Sequence, residues 1–198
     1  MPVETIEWIL LAVSPFLAVG FACMMYNAIF ARRAGELLQE MDQRMDSAYR
    51  TWREWTKARG GVQPAFSSKA FEKTGETCFA YEREAASYEP VRPHTSVETD
   101  VPVFDTPCGM SVSGGWSILD CFDGVQFVGK GSLFVTDQNL YLRGTGTEIK
   151  IPLKDVWMVA TACSSFLIEA RSMDRPLIFT GVNGQKLRDT IHMLMEAA

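Results

Sequence analysis

The stretch Gly124-Val-Gln-Phe-Val-Gly129-Lys130-Gly131 follows the spacing of a loop that cradles phosphates, up to its last place. Such a loop ends in Ser or Thr, whose hydroxyl holds Mg²⁺, and it opens a helix. Here Gly131 takes that place, the four middle residues suit a strand, and another strand pattern follows. A hairpin edge is the expectation. Asp120 and Asp123 form a carboxylate pair, but they flank Cys121-Phe122 just before Gly124, where aspartate is a turn former. The two histidines, His94 and His192, stand apart, and no Gly-x-Ser-x-Gly elbow exists to hold a nucleophile. Five cysteines (Cys23, Cys78, Cys108, Cys121, Cys163) show no close pairing. An odd count reads as reduced thiols in a cytosolic compartment, and no spacing matches a zinc site. The expectation is a protein that is not an enzyme and uses no cofactor or metal.

Charge could instead serve binding. Lys130, Arg143, Lys150 and Lys154 are the candidate surface-binding residues of a C-terminal part that is net acidic. That acidity disfavours contacts with nucleic-acid phosphates.

The elements that must position these residues begin with an apolar run. Ile6 to Phe30 holds no Lys or Arg and stops at Arg32-Arg33. At about 1.5 Å per helical residue, Trp8 to Phe30 covers roughly 34 Å, against about 30 Å of bilayer hydrocarbon. Trp8 and Tyr26 stand near the ends, where interfacial aromatics are favoured. A cleaved signal peptide would need a basic start and a shorter apolar stretch. A lipoprotein site at Cys23 would not carry Phe21 in its middle. Residues 6–31 are therefore predicted to be a transmembrane helix. Seven basic residues against five acidic in 32–59 place that flank inside, with the N-terminus outside an inner (plasma) membrane. Ser14, Ala18 and Ala22 form a small-xxx-small face that permits close helix approach.

Residues 32–59 predict an amphipathic helix stopped by Gly60-Gly61. Leu38, Met41, Met45, Ala48, Trp52 and Trp55 follow 3-4-3-4-3 spacing on one stripe. The stripe can pack on a second copy, on its own C-terminal domain, or along the membrane, where Tyr49, Arg50, Arg53, Lys57 and Arg59 suit the interface. Residues 60–74 read as a linker.

From residue 75 the pattern turns β-like. Gly131 to Thr136 and Leu140 to Gly144 flank Asp137-Gln138-Asn139, a hairpin turn. Glu148 to Leu153, Asp155 to Ala162, Phe166 to Ala170 and Pro176 to Thr180 add further strands. Asn183 can cap a closing helix with Leu187, Ile191 and Leu194 on one side. Gly131-x-Leu133-x-Val135-Thr136, Leu140-x-Leu142 and Ile149-x-Ile151-Pro152-Leu153-x-Asp155-Val156, with Gly75-Glu76 and Ala80-Tyr81 upstream, resemble the bacterial PH-like and GRAM-like families. The resemblance covers residues 75–198. It implies an α+β chain ending in an antiparallel, seven-stranded, partly open barrel closed by the C-terminal helix, acting as a binding module. The turn before Leu140 carries Gln138 and Asn139 where the family often has basic residues. A phosphate-headgroup site needs several Lys or Arg on one loop, and here they are spread over strands.

Two functions follow as expectations. The first is a single-pass membrane protein presenting a cytoplasmic PH-like module to a protein partner or the membrane surface. The second is a membrane protein that self-assembles as a homo-oligomer through Ser14, Ala18, Ala22, Leu38, Met41, Met45, Trp52 and Trp55.

Overall fold

In a computed structural model the described residues are 3–65, 71, 74–91, 103–104, 118–122, 124–162 and 164–197, with the side chains of 3–19, 38, 103–104 and 120–121 outside the description. The chain divides into two units, one ending at Glu40 and one running from Met41 to Ala198.

Helix α1 (Val3–Ala58) runs through both predicted helical segments without a break, Pro15 included. It ends in a Schellman cap. Gly60 has φ 74°, its N–H donates to the Lys57 carbonyl (3.2 Å), and the Gly61 N–H donates to the Thr56 carbonyl (3.1 Å). Only glycine takes that φ without strain, so Gly60-Gly61 sets the stop. In the first unit, Phe21, Met24, Met25, Tyr26, Ile29 and Phe30 are 47–70% exposed. Among the described residues no helix is long and apolar enough to cross a membrane. Much of the predicted 6–31 span, including Ser14 and Ala18, lies where side chains are outside the description.

The second unit is α+β. Seven strands are antiparallel: β1 (Cys78–Pro90), β3 (Val125–Thr136), β4 (Asn139–Gly144), β5 (Thr147–Pro152), β6 (Val156–Ala162), β7 (Ser165–Ala170) and β8 (Leu177–Thr180). A two-residue strand, β2 (Val103–Phe104), runs parallel to β6. Helix α2 (Gly184–Glu196) closes the chain. The order is β2-β6-β7-β8-β1-β3-β4-β5. Strand β1 pairs with both β3 and β8, and its bulge at Glu84 (φ 65°) bends it so that it serves both halves.

The resemblance implies a partly open barrel, and the strands form a sheet that is not closed, with β2 and β5 at its edges. Strand β5 ends at Pro152, which brings no N–H, and the single 3₁₀ turn Leu153–Asp155 redirects the chain. The free side of β6 takes β2 as its neighbour instead of β5.

Alternation dictates the core. Leu133 faces Leu142, Val135 faces Leu140, and Leu140 faces Ile151, all essentially inaccessible to solvent. Phe166, Ile168, Phe179 and, from α2, Leu187 and Ile191 complete this cluster, with Leu194 against its edge. Burying each such side chain contributes about 1.5–3 kcal/mol. Asn183 caps α2, its Oδ1 accepting from the Lys186 N–H at 3.0 Å. Strand β7 is buried on both faces because Ile118 covers the other side with Met158, Ala160, Leu167 and Ile178. The Ile118 N–H donates to Ser165 Oγ at 3.1 Å. The stretch with the phosphate-loop spacing lies almost wholly within extended strand β3. A Cβ on Gly131 would run into the Arg143 carbonyl and one on Gly144 into the Lys130 carbonyl, so glycine there lets β3 and β4 close.

Two stretches outside the predicted sheet also pack onto this unit. Phe71, within the predicted linker, is 1% exposed against Phe134 and Tyr141. On α1, Tyr49 is buried and its hydroxyl donates to Asp189 Oδ2 (2.6 Å). Asn183 Nδ2 donates to the Met45 carbonyl (2.9 Å). The last turns of α1 therefore pack on their own domain through Met45, Tyr49, Trp52 and Thr56, while Ala48 and Trp55 face outward. The packed line thus keeps Met45 and Trp52 of the stripe but takes Tyr49 in place of Ala48 and Thr56 in place of Trp55.

Candidate binding groove

Register decides which basic residues meet. Strands β4 and β5 pair Tyr141 with Lys150 and Arg143 with Glu148, so all four side chains share the outward face of the hairpin. The Arg143 guanidinium lies 4.7 Å from the centre of the Tyr141 ring and 5.0 Å from that of Phe71, and Lys150 Nζ lies 5.5 Å from that of Tyr141. Arg143 Nε also donates to Glu148 at 3.1 Å. The rings hold both cations by their faces.

Under this cluster sits a buried carboxylate. Glu76 Oε1 accepts from the Tyr141 hydroxyl at 2.7 Å and Oε2 from the Thr136 hydroxyl at 2.5 Å. Thr136 Oγ1 in turn accepts from the Asn139 N–H at 2.9 Å, which fixes the Asp137-Gln138 turn. Burial pushes the Glu76 carboxyl upward. Hydrogen bonds from Thr136, Tyr141 and Asn139, with the Lys150 charge, outweigh it and hold the carboxyl below its ordinary value. Burial and the Glu76 carboxylate push the Tyr141 phenol up to about 12.

Beside the turn lies a groove of about 570 Å³ between β5 and the end of α2. Pro152, Leu153, Leu194 and Met195 give it an apolar lining, and Lys150, Lys154 and Asp137 supply its charges. Lys150 and Lys154 are exposed. The Leu153 N–H donates to the Gln138 carbonyl (2.8 Å), which pins the 3₁₀ turn against the hairpin turn.

Of the predicted surface residues, Lys150 and Lys154 thus share the groove, Arg143 shares the Tyr141 ring with Lys150, and Lys130 stands apart, 3.6 Å from Glu84. Of the predicted self-association residues, Ala22 is exposed and Met41, Met45 and Trp52 are half-buried. Trp55 is 43% exposed with the Arg59 guanidinium 3.9 Å from its ring centre. The side chains of Ser14, Ala18 and Leu38 lie outside the described residues. Sequence reading missed Phe71, and it used Glu76 only as part of the resemblance, whereas the carboxylate stands two residues ahead of β1. The i to i+2 alternation of Tyr141 and Arg143 against Glu148 and Lys150 was the available signal for the cation–ring face.

Among the described residues no three His, Cys, Asp or Glu side chains group as metal ligands. No protein-family model matches the chain, and no curated protein matches it.

Proposed function

We propose that this is a membrane-anchored, PH-like binding module whose groove takes a protein segment combining apolar residues with acidic ones. The observation that carries this reading is the groove itself, where Lys150 and Lys154 stand beside an apolar wall of Leu153, Leu194 and Met195. Such a site rewards an apolar anchor desolvated in its centre and carboxylates at its rim. The strand order and the closing helix support the PH-like reading.

The anchor is supported by the sequence of residues 6–31 and by the row from Phe21 to Phe30. These large apolar side chains are exposed, and water is a costly medium for so continuous a surface. Held at the bilayer with its N-terminus outside, the chain would keep the module in a thin cytoplasmic layer. That raises its effective concentration for partners there.

Reversing both groove charges, Lys150→Glu with Lys154→Glu, tests the reading on the full N-terminally tagged chain. Partner recovery from gently solubilised membranes is expected to fall at least about tenfold, the equivalent of 1.4 kcal/mol. Undiminished recovery, with the variant folded, contradicts the groove as the site.

The same exposed row also favours a second reading, in which two copies cover it by pairing their first helices through Ser14, Ala18 and Ala22. Mass measurement of the full chain in detergent, with Ala18→Leu as comparison, separates the two. A monomer in both samples removes the oligomer.

A further inference from the structure

A second concavity lies away from the groove. The last turns of α1 and the middle of α2 enclose a cleft of about 440 Å³, within the size range of small-molecule sites. Trp52 and Met193, both half-buried, give it apolar walls, and Gly60-Gly61 close its end. Arg53 and Lys57, one helical turn apart and both exposed, stand along one side.

Two features give this cleft a preference. The first is charge. Asp189, the acidic residue in its lining, has both oxygens engaged: Oδ2 by the Tyr49 hydroxyl at 2.6 Å, Oδ1 by Arg188 at 2.9 and 2.8 Å. His192, also in the lining, lies 3.4 Å from Glu196. Arg53 and Lys57 therefore leave a positive rim. The last carbonyls of α1 would oppose an anion, but the cap bonds from Gly60 and Gly61 already occupy those of Lys57 and Thr56.

The second feature is Thr56. It lines the cleft, is 4% exposed, and its hydroxyl has no hydrogen-bond partner among the described residues. A threonine within a helix commonly returns its hydroxyl to the carbonyl four residues back, as Thr51 does to Ser47 at 3.0 Å. A buried hydroxyl without a partner is a cost that a guest's acceptor atom would remove.

We propose that this cleft binds a small organic anion, a carboxylate on an apolar body. The body packs between Trp52 and Met193, the carboxylate meets Arg53 and Lys57, and a rotation of the Thr56 side chain brings its buried hydroxyl to the carboxylate. The site is separate from the protein-binding groove and does not depend on it.

The test uses the full chain in detergent and follows 4-fluorophenylacetate by ¹⁹F NMR, with the uncharged 4-fluorophenylacetamide as its matched control. Saturable binding of the carboxylate at about 1 mM or tighter is expected, with the amide at least about tenfold weaker. Arg53→Glu with Lys57→Glu should weaken the carboxylate at least about tenfold, the same factor as loss of the charge on the ligand. Met193→Trp, which fills the cleft from the other helix, should abolish binding, and it decides the matter if the charge-reversed chain fails to fold. No saturable binding, equal binding of the amide, or binding that survives Met193→Trp each overturns the proposal.

Discussion

Truncating Phe71 to alanine is expected to cost the second unit about 3–5 kcal/mol, although the residue lies in a stretch that reads as a linker. Its ring is 1% exposed, with centroids 5.5 Å from Phe134 and 5.4 Å from Tyr141, and the Arg143 guanidinium lies 5.0 Å from its centre. Aromatic pairs of this kind add about 0.5–1.5 kcal/mol beyond the area buried. Against a typical total of about 5–15 kcal/mol, the loss removes a large share of stability. Thermal unfolding of the full chain, followed by tryptophan fluorescence, should show a midpoint lowered by roughly 6–20 °C at 2–4 °C per kcal/mol. A shift under about 2 °C would mean that the ring is not part of the fold.

Glu76→Gln is expected to be the next most damaging substitution, at about 2–4 kcal/mol. It exchanges a carboxylate accepting from Thr136 and Tyr141 for a neutral amide, and hydrogen bonds to a charged group contribute about 1.5–3 kcal/mol each. One carboxamide end is a donor, so the hydroxyl that meets it must turn and accept, and a charge-assisted bond becomes a weaker neutral one. The effect depends on pH with a definite sign. The folded carboxyl is held below its ordinary value of 4.5, so the unfolded chain binds the proton first as pH falls. Its contribution is complete above that value and is lost as pH drops through the folded one. Denaturant titrations from pH 7 to pH 3 should therefore show the wild type losing part of its advantage over the variant below about 4.5. Parallel profiles would rule out the network as the cause.

What the sequence made legible follows from how locally each feature is encoded. Strands β3 to β8 were visible because alternating runs, as at Leu133 and Val135 or Leu140 and Leu142, and short apolar runs such as β7 stand between polar turns. The cap at Asn183 and the stop at Gly60-Gly61 were visible because only a few residue types make those turns. Closure of the sheet was not legible, since Pro152 and the turn after it decide by long-range geometry whether β5 meets β6. Phe71 was hidden for a similar reason: Phe66 and Phe71, five residues apart in a mostly polar stretch, set neither a helical nor a strand period. The stripe on α1 was visible, but its partner was not. That choice rested on Tyr49 finding Asp189 and on Met45 finding Asn183, contacts about 140 residues apart in sequence. The groove was half legible: Lys150 and Lys154 were candidates, whereas Leu194 and Met195 reach it only because α2 packs back across the core.

The measurement that tests the central claim most directly is site-specific photo-crosslinking of the full chain in its own membranes. A benzophenone side chain is placed at Lys154 in the groove and, in a separate sample, at Arg175, an exposed position outside it. The account predicts a discrete protein adduct from position 154 that disappears with Lys150→Glu and is absent from position 175. Equal labelling from both positions, or adducts to lipid alone from position 154, would contradict the groove as a protein-binding site.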